Sequence, residues 1–244
     1  MPLSVQLYSV REAIDADATD ALGRLRTLGL DTVELFGLLE LQDRYQVALE
    51  ATGMRAPSAH EHLLEDADPE AVFSAAVRLG VETVIEPAVR EGWESREGVA
   101  AMAHRLNDLG RRAADHGLRV GYHNHWWEFA DLNGRTAFEV FADLLDPAVV
   151  LELDVYWAEV AGVAAPALLD RLGERVRFLH VKDGPLPRDG DVQLPAGEGA
   201  VDIPAVLAAS PHTLRVIEFD HYAGDVFEGI GASIAYLNAT EETA

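Results

Sequence analysis

Histidines and carboxylates stand at the ends of several short, β-rich runs of this chain. The residues concerned are His60, His123, His125, Asp154, His180 and Glu218. Imidazole nitrogens and carboxylate oxygens are ligands that suit Mn, Co, Zn and similar divalent ions. The chain has no cysteine, so any metal must be held by His, Asp, Glu, Asn or water. One such residue at a strand end is most often a hydrogen-bonded core group, but several on one rim predict a metal site.

Short runs rich in β-branched residues alternate with longer amphipathic segments. The eight runs span residues 4–10, 32–36, 55–60, 82–87, 118–125, 149–155, 175–181 and 214–220. Between them, for example over 20–29, 69–80, 102–117 and 166–174, apolar residues recur at three- and four-residue steps. This alternation predicts βαβ units, and eight units in 244 residues predict an α/β fold of the (β/α)8 TIM-barrel type. We expect one domain over residues 1–244, without a linker.

Several predicted helices carry recognisable end signals. Gly29, Gly80 and Gly117 each follow a periodic segment, and glycine ends helices because it accepts the left-handed conformation at little cost. Asp68 stands before Pro69, which is typical of a helix N-cap followed by proline in the first turn.

The active site of such a barrel lies at the C-terminal ends of its strands. Side chains alternate across a strand, so His123 and His125 share one face of the fifth run, and Glu152 and Asp154 share one face of the sixth. Two buried carboxylates in one layer are costly unless they are paired. Asp154 is nearer the C-terminal end and is the better ligand, whereas Glu152 is expected to pair with a neighbouring His or Arg.

The charge of the chain narrows the range of partners. Its formal net charge of -23 repels phosphate backbones and anionic membrane surfaces, so we predict neither nucleic acid nor a membrane as partner. No secretory signal and no transmembrane run are evident, which favours a cytoplasmic protein. Lys182 is the only lysine among 19 basic residues, which indicates a position where a compact ammonium is preferred to a guanidinium.

Eight short strings, in order along the chain, resemble one known family. They are QLYSVR, VELFG, SAHEH, GYHNHWWEF, LELDVYWAEVAG, LHVKD, GEGAVD and VIEFD. Together they resemble the sugar phosphate isomerase/epimerase group, which has the xylose isomerase-like barrel and includes inosose dehydratase and hydroxypyruvate isomerase among its relatives. The resemblance covers nearly the whole chain, and it is more specific for the family than for a substrate.

The resemblance implies one divalent metal ion (Mn, Co, Mg or Zn) held by strands 5 to 8. Carried over, strand 6 supplies Asp154, strand 7 supplies His180 and strand 8 supplies Glu218. Many members have a glutamate on strand 5 that is both ligand and base, whereas this chain has His123 and His125. Either histidine could complete the site. Without the strand-5 glutamate, Glu218 is the remaining family base.

The activity implied by the resemblance is that of a metal-dependent isomerase or epimerase. It would remove the proton next to the carbonyl of a sugar, keto-sugar or inosose through an enediolate, with the metal polarising the carbonyl. The predicted catalytic residues are Glu218, Lys182 and His123. The predicted substrate-binding residues are His60, Trp126, Glu128 and Trp157, since aromatic faces pack on sugar C–H surfaces.

Other interpretations share the same barrel. Dehydration of the same class of substrate, as inosose dehydratase performs, starts from the same proton abstraction. A sugar-binding barrel without catalysis is a second alternative, which the set of Asp154, His180 and Glu218 disfavours. An endonuclease IV-type enzyme would need a basic DNA-facing surface, and the net charge disfavours it. We expect a small sugar or polyol as partner, and the resemblance also implies a homo-oligomer.

Overall fold

Eight parallel strands form the centre of the computed structural model, which describes residues 3–65, 68–186 and 192–242. They are β1 (Leu3–Val5), β2 (Thr32–Leu35), β3 (Arg55–His60), β4 (Thr83–Glu86), β5 (Arg119–His123), β6 (Val150–Asp154), β7 (Val176–Val181) and β8 (Leu214–Ile217). Hydrogen bonds join them in the order β1-β8-β7-β6-β5-β4-β3-β2. The predicted TIM barrel is confirmed, with one strand in each of the eight runs.

Helices alternate with the strands and cover the outside of the barrel. They are α1 (Arg11–Thr27), α2 (Leu38–Thr52), α3 (Pro69–Leu79), α4 (Arg96–Ala114), α5 (Ala137–Leu144), α6 (Val155–Val160), α7 (Ala165–Leu172), α8 (Ile203–Ala209) and α9 (Val226–Glu242). Short 3-10 turns lie at Leu7–Val10, Trp127–Phe129 and Gly173–Arg175. Across the residues described, none of these helices has the length and apolar character needed to cross a bilayer.

The predicted signals at the ends of α3 are confirmed. The side chain of Asp68 accepts a hydrogen bond from the amide of Glu70 at 3.1 Å, with Pro69 in the first turn. Gly80 ends the helix with φ of 72°, where a side chain would be strained. These local signals fix where the chain leaves the helix and enters β4.

Two strands, β1 and β8, end three or more residues before the ends of their predicted runs. β1 ends at Val5 because the side chain of Gln6 accepts a hydrogen bond from the amide of Tyr8 at 3.0 Å and starts a 3-10 turn. β8 ends at Ile217. Two residues later, the amide of Phe219 donates to Oγ of Ser9 at 2.9 Å instead of to a neighbouring strand. Glu218 therefore lies just beyond its strand.

The barrel closes between β1 and β2 through side chains as well as backbone. In the part of the chain that the structure describes, Gln6 and Glu34 form the one isolated parallel bridge across this seam. Nε2 of Gln6 donates to Oε1 of Glu34 at 2.9 Å, and Oγ1 of Thr32 donates to the carbonyl of Leu3 at 2.9 Å. The buried side chains of Gln6 and Glu34 thus join the two sides of the seam at the level of the candidate site.

The barrel interior is apolar at its N-terminal end and polar at its C-terminal end. Ile85, Val150 and Phe178 pack together with Leu214 to fill the N-terminal end. Gly121 lies beside them, where a Cβ would be 3.1 Å from Cγ2 of Val150 and so has little room. Above this apolar plug the interior is built from buried carboxylates and imidazoles, which form the candidate site.

Candidate active site

Three imidazoles surround one buried carboxylate oxygen in the barrel interior. Oε2 of Glu152 lies 2.6 Å from Nε2 of His60, 3.1 Å from Nδ1 of His123 and 3.1 Å from Nε2 of His180. All four side chains are buried. Burial alone would raise the pKa of Glu152, but His180 and His60 hold that pKa well below its usual value. Glu152 is therefore an anion paired with histidines, as strand alternation predicts.

A second carboxylate, Glu34 on β2, completes this buried layer. Its Oε1 atom lies 2.8 Å from Nε2 of His180 and accepts a hydrogen bond from Gln6. Its Oε2 atom accepts a hydrogen bond from Oγ of Ser58 at 2.5 Å. Burial and the nearby charge of Glu152 raise the pKa of Glu34. The sequence shows Glu34 at a strand end, but its contact with His180 depends on barrel closure.

The buried layer fixes the orientation of two histidine rings. Nδ1 of His123 and Nε2 of His180 face Glu152, so the other nitrogen of each ring points towards the C-terminal rim. There, Nε2 of His123 lies 3.9 Å from Oδ2 of Asp154, and Nδ1 of His180 lies 2.7 Å from Oε2 of Glu218. Carboxylates behind a ligand histidine commonly set its tautomer in this way.

His123, Asp154, His180 and Glu218 form a compact group that suits a divalent metal. Each offers one ligand atom, and these atoms lie within 4.8 Å of one another. All four residues are buried, and two imidazoles with two carboxylates are a donor set for Mn, Co or Zn. A second group of the same size, His60, His123, Glu152 and His180, is the layer beneath it.

The two carboxylate oxygens of Asp154 have different roles, one in capping a helix and the other in the metal group. Its Oδ1 atom accepts a hydrogen bond from the amide of Trp157 at 3.0 Å and caps α6. Its Oδ2 atom faces the metal group, 3.9 Å from Nε2 of His123, and is paired with Nζ of Lys182 at 2.9 Å. Burial raises the pKa of Asp154 to about 6 despite the charge of Lys182. Oδ2 is therefore the oxygen that Asp154 can offer to a cation, and in this structure it contacts the Lys182 ammonium.

Asn124 holds Asp154 in place through its backbone. Its Oδ1 atom accepts a hydrogen bond from the amide of Asp154 at 3.0 Å, and its Nδ2 atom donates to the carbonyl of the same residue at 3.2 Å. The side chain thus continues the pairing of β5 with β6 beyond the end of β5. No sequence motif indicated this role.

Lys182 lies at the centre of three carboxylates. Its Nζ atom is 2.9 Å from Oδ2 of Asp154, 2.6 Å from Oε2 of Glu218 and 2.8 Å from Oδ2 of Asp220. Burial would lower the pKa of Lys182, but these carboxylates raise it well above its usual value. Burial would likewise raise the pKa of Glu218, and Lys182 and His180 hold it well below. Glu218 and Lys182, two of the three predicted catalytic residues, therefore form a buried ion pair.

A cavity of about 380 Å³ lies next to the metal group, at the C-terminal rim of the barrel. Its lining includes Tyr8, Phe36, His60, His123, His125 and Glu218. Tyr8 and Phe36 meet edge to face, with ring centroids 5.6 Å apart, and form an aromatic wall. A larger depression of about 540 Å³ lies beside it, but its lining contains none of the four residues of the metal group.

His125 lies on the cavity wall, after the end of β5. Its ring stacks on Trp127 with centroids 4.2 Å apart, and its buried Nδ1 atom has no hydrogen bond from the described residues. Burial lowers its pKa well below the usual value, so the ring is neutral. Of the two strand-5 histidines, the structure brings His123 into the metal group and places His125 beside the cavity.

The predicted substrate-binding residues occupy different positions. His60 lines the cavity, whereas the described lining does not include Trp126, Glu128 or Trp157. Glu128 is fully buried, and it accepts hydrogen bonds from the Tyr122 hydroxyl at 3.1 Å and the His125 amide at 2.9 Å. Glu128 thus anchors the loop that carries His125. Nζ of Lys182 lies over the ring of Trp157, 5.7 Å from the ring centroid.

Asp183 organises the loop between β7 and α8. Its two oxygens accept four backbone hydrogen bonds, from the amides of Gly184, Gly197, Gly199 and Val201, at 2.8 to 3.1 Å. A side chain at Gly199 would collide with the Asp183 carboxylate. Residues 197–199, with the sequence GEG, therefore form a loop around the Asp183 carboxylate. These hydrogen bonds fix the backbone next to Lys182.

Comparisons with known proteins agree with this architecture. A sugar phosphate isomerase/epimerase from Parabacteroides distasonis ATCC 8503 superposes with a TM-score of 0.85 at 23% identity, covering 98% of this chain and 93% of that chain. A structure of the IOLI protein with a binding zinc atom superposes with a TM-score of 0.73 at 16% identity, covering 98% of each chain. At these identities the likeness shows a shared fold.

One curated protein is related over part of its length. Trigger factor from Clavibacter michiganensis subsp. michiganensis (strain NCPPB 382) is 28% identical over 172 residues, which are 68% of this chain and 32% of that protein. The chain thus spans about a third of the length of this relative. The model of one family, described as xylose isomerase-like TIM barrel, matches residues 22–210, from within α1 to the end of α8. Since that match covers most of the strands and the proposed ligands on β5, β6 and β7, the chain belongs to the xylose isomerase-like TIM barrel family.

Proposed function

We propose that this chain is a divalent-metal-dependent isomerase or epimerase that removes a proton next to the carbonyl of a sugar, keto-sugar or inosose. The observation that carries the proposal is the group of His123, Asp154, His180 and Glu218, of which His123 and Glu218 line a cavity at the C-terminal rim. Active sites of this barrel type lie on that rim. The zinc in the IOLI structure and the name of the Parabacteroides protein support the same chemistry.

The charge balance of the site supports a bound divalent ion. Asp154, Glu218 and Asp220 share one ammonium, and Glu34 and Glu152 lie directly beneath them. Even when His60 and His180, whose pKa values these carboxylates raise, are counted as cations, five carboxylates face three positive charges, and this excess favours a further cation. When bound by His123, Asp154, His180 and Glu218, a divalent ion supplies Lewis-acid polarisation of the carbonyl oxygen and stabilises the negative charge that develops there.

We assign His123 as the strand-5 ligand and His125 as a substrate group. His123 has its Nδ1 atom engaged by Glu152, which turns Nε2 towards Asp154. His125 presents a neutral ring to the cavity, where it can hydrogen-bond to a substrate hydroxyl. A neutral imidazole offers one donor and one acceptor nitrogen.

The proton next to the carbonyl is removed by Glu218. Its carboxylate lines the cavity and is kept ionised by Lys182 and His180. An ionised carboxylate at the reacting carbon is the group that general-base catalysis requires. Lys182 is held by three carboxylates, so its role in the metal-free site is to keep Glu218 in place and ionised.

The cavity suits a small, uncharged substrate. At about 380 Å³ it lies near the lower end of the usual ligand range of about 300–1,000 Å³. The Tyr8–Phe36 wall can pack on sugar C–H faces, and His60 and His125 offer nitrogens to hydroxyl groups. The nearby Arg11 is engaged by the carbonyls of Tyr8 and Asp220 and contacts the Tyr8 ring, so it does not present a free anion site.

The experiment that tests this function measures metal and proton exchange together. Metal content is determined by elemental analysis before and after chelation, and keto-sugars and inososes are incubated in D2O with the metal-loaded protein. We expect about one divalent ion per chain, deuterium at the carbon next to the carbonyl, and loss of exchange in Glu218→Gln. Release of water from the substrate would identify the reaction as an elimination.

The matched control for Glu218→Gln is Glu61→Gln. Glu61 also lines the cavity, but its Oε2 atom accepts a hydrogen bond from the amide of Leu39 and is outside the metal group. Its substitution should leave metal content unchanged. A wild-type protein that binds no divalent ion, even with excess Mn²⁺ or Zn²⁺, would contradict the proposed function and favour a sugar-binding barrel.

A further inference from the structure

Lys182 and the proposed metal ion use the same two carboxylate oxygens. The oxygens that face the metal group, Oδ2 of Asp154 and Oε2 of Glu218, are the ones that lie 2.9 Å and 2.6 Å from Nζ of Lys182. Lys182 is only 2% exposed, so water screens the charge of its ammonium little. Two cations on the same pair of anions weaken each other's binding, strongly so in a buried site.

A third carboxylate offers the ammonium a separate partner. Oδ2 of Asp220 lies 2.8 Å from Nζ of Lys182, and Asp220 belongs to neither candidate metal group. Its position is fixed by Gln193, whose Nε2 atom donates to Asp220 Oδ2 at 2.8 Å and whose Oε1 atom accepts from the Asp220 amide at 2.7 Å. Lys182 can therefore stay bound to Asp220 when Asp154 and Glu218 turn to another cation.

We propose that Lys182 is a built-in competitor that sets the metal affinity of this site. The divalent ion binds by taking Asp154 and Glu218 from the ammonium, and Asp220 then retains the ammonium. This inference rests on the proposed function, because it takes His123, Asp154, His180 and Glu218 as the metal ligands. The competition raises the concentration of free metal at which the site fills, and it leaves the ligand set itself unchanged.

The test is a metal titration of the full chain against a chromophoric chelator, at one fixed pH, with Mn²⁺ and separately with Zn²⁺. Lys182→Met removes the competing charge, so its Kd should fall on the order of tenfold or more. Asp220→Asn removes the alternative partner of the ammonium, so its Kd should rise. In the double variant, the Asp220→Asn effect should largely disappear, because the ammonium through which it acts is absent.

The control is Arg11→Met, which removes an equal charge from the same rim. The Arg11 guanidinium contacts the carbonyls of Tyr8 and Asp220 and no metal-group carboxylate, so its Kd should change less than about threefold. If Lys182→Met does not fold, as judged by circular dichroism, Lys182→Gln keeps a polar group in its place and carries the same expectation.

The outcomes separate this inference from the proposed function. A wild-type chain that binds metal, together with Lys182→Met of equal or weaker affinity, overturns the competition and leaves the proposed function standing. A wild-type chain that binds metal, together with Lys182→Met of about tenfold or greater affinity, supports the competition and the proposed function together. Failure of every variant to bind Mn²⁺ or Zn²⁺ overturns both.

Discussion

Nε2 of His180 lies 2.8 Å from Oε1 of Glu34, although the two residues are 146 positions apart in the sequence. The contact joins β7 to β2 across the barrel interior, and it leaves Nδ1 of His180 directed at the proposed metal group. A carboxylate behind a ligand histidine orients the ring and raises its basicity. Glu34 is therefore a positioning residue for the metal site.

Substitution of Glu34 by Gln should weaken metal binding without removing a ligand. Losses of about 10–100-fold in affinity are typical when the carboxylate behind a metal-bound histidine is replaced. A chelator competition assay with Mn²⁺ or Zn²⁺ measures the change. Ser58→Ala is the control, since Ser58 contacts only the other oxygen of Glu34 and should cause a smaller loss. Equal affinity of Glu34→Gln and wild type would contradict this role.

The two roles of Asp154 can be separated by two substitutions. Asp154→Asn keeps an oxygen to cap α6 but loses the charge, so metal content should fall while the free energy of unfolding changes little. Asp154→Ala should lose metal and, in addition, about 1 kcal/mol of stability from the missing cap. Elemental analysis and urea unfolding of metal-free protein measure the two effects. Undiminished metal content in both variants would remove Asp154 from the ligand set.

The buried carboxyl of Glu128 should make stability depend on pH. Burial raises its pKa in the folded chain to about 8, from the ordinary value of 4.5. Its contribution to stability is therefore complete below pH 4.5 and is lost as the pH rises through about 8, because the unfolded chain releases the proton more readily. The slope between these values is at most about 1.4 kcal/mol per pH unit.

Glu128→Gln mimics the protonated form and tests this dependence. Urea unfolding at pH 6 and pH 9 should show a smaller difference for the variant than for the wild type, with the variant the more stable of the two at pH 9. An unchanged pH dependence in the variant would mean that another group is responsible.

Asp183→Asn should destabilise the loop between β7 and α8. The amide keeps one acceptor oxygen, so two of the four backbone N–H groups now held by the carboxylate would face an NH2 group. Each buried donor left without a partner costs about 1–3 kcal/mol. Denaturant unfolding measures the loss. Asp202→Asn is the comparison, because Asp202 makes a single exposed cap to the amide of Ala205 and should cost less than about 1 kcal/mol.

The barrel could be predicted from the sequence because each of its elements has a local cause. Alternating apolar patterns mark the strands, and residues such as Asp68 and Gly80 mark the helix ends. The rim that carries Asp154, His180 and Glu218 follows from strand order, since all parallel strands end on the same side. These features depend on neighbours along the chain, so one sequence suffices to predict them.

The pairing within the site could not be predicted in the same way. Strand alternation gave His123 and His125 the same direction, but β5 ends at His123, and beyond that point the chain no longer alternates. Glu128 is an acid near the predicted ligands, yet it faces the Tyr122 hydroxyl behind the loop. Such contacts depend on where a strand stops and how the barrel closes, which are properties of the whole fold.

Barrel closure has a dynamic consequence at the seam between β1 and β2. Every other neighbouring pair of strands is joined by a ladder of three or more register pairs, whereas among the described residues this seam has the single bridge of Gln6 with Glu34. Local opening of a fold is easiest where few hydrogen bonds must break, and native-state hydrogen exchange detects it. The amides of β2 therefore report on the motion of Glu34, the carboxylate that orients His180. Because the barrel closes through Glu34, local opening of the β1–β2 seam would also change the orientation of His180 in the candidate active site.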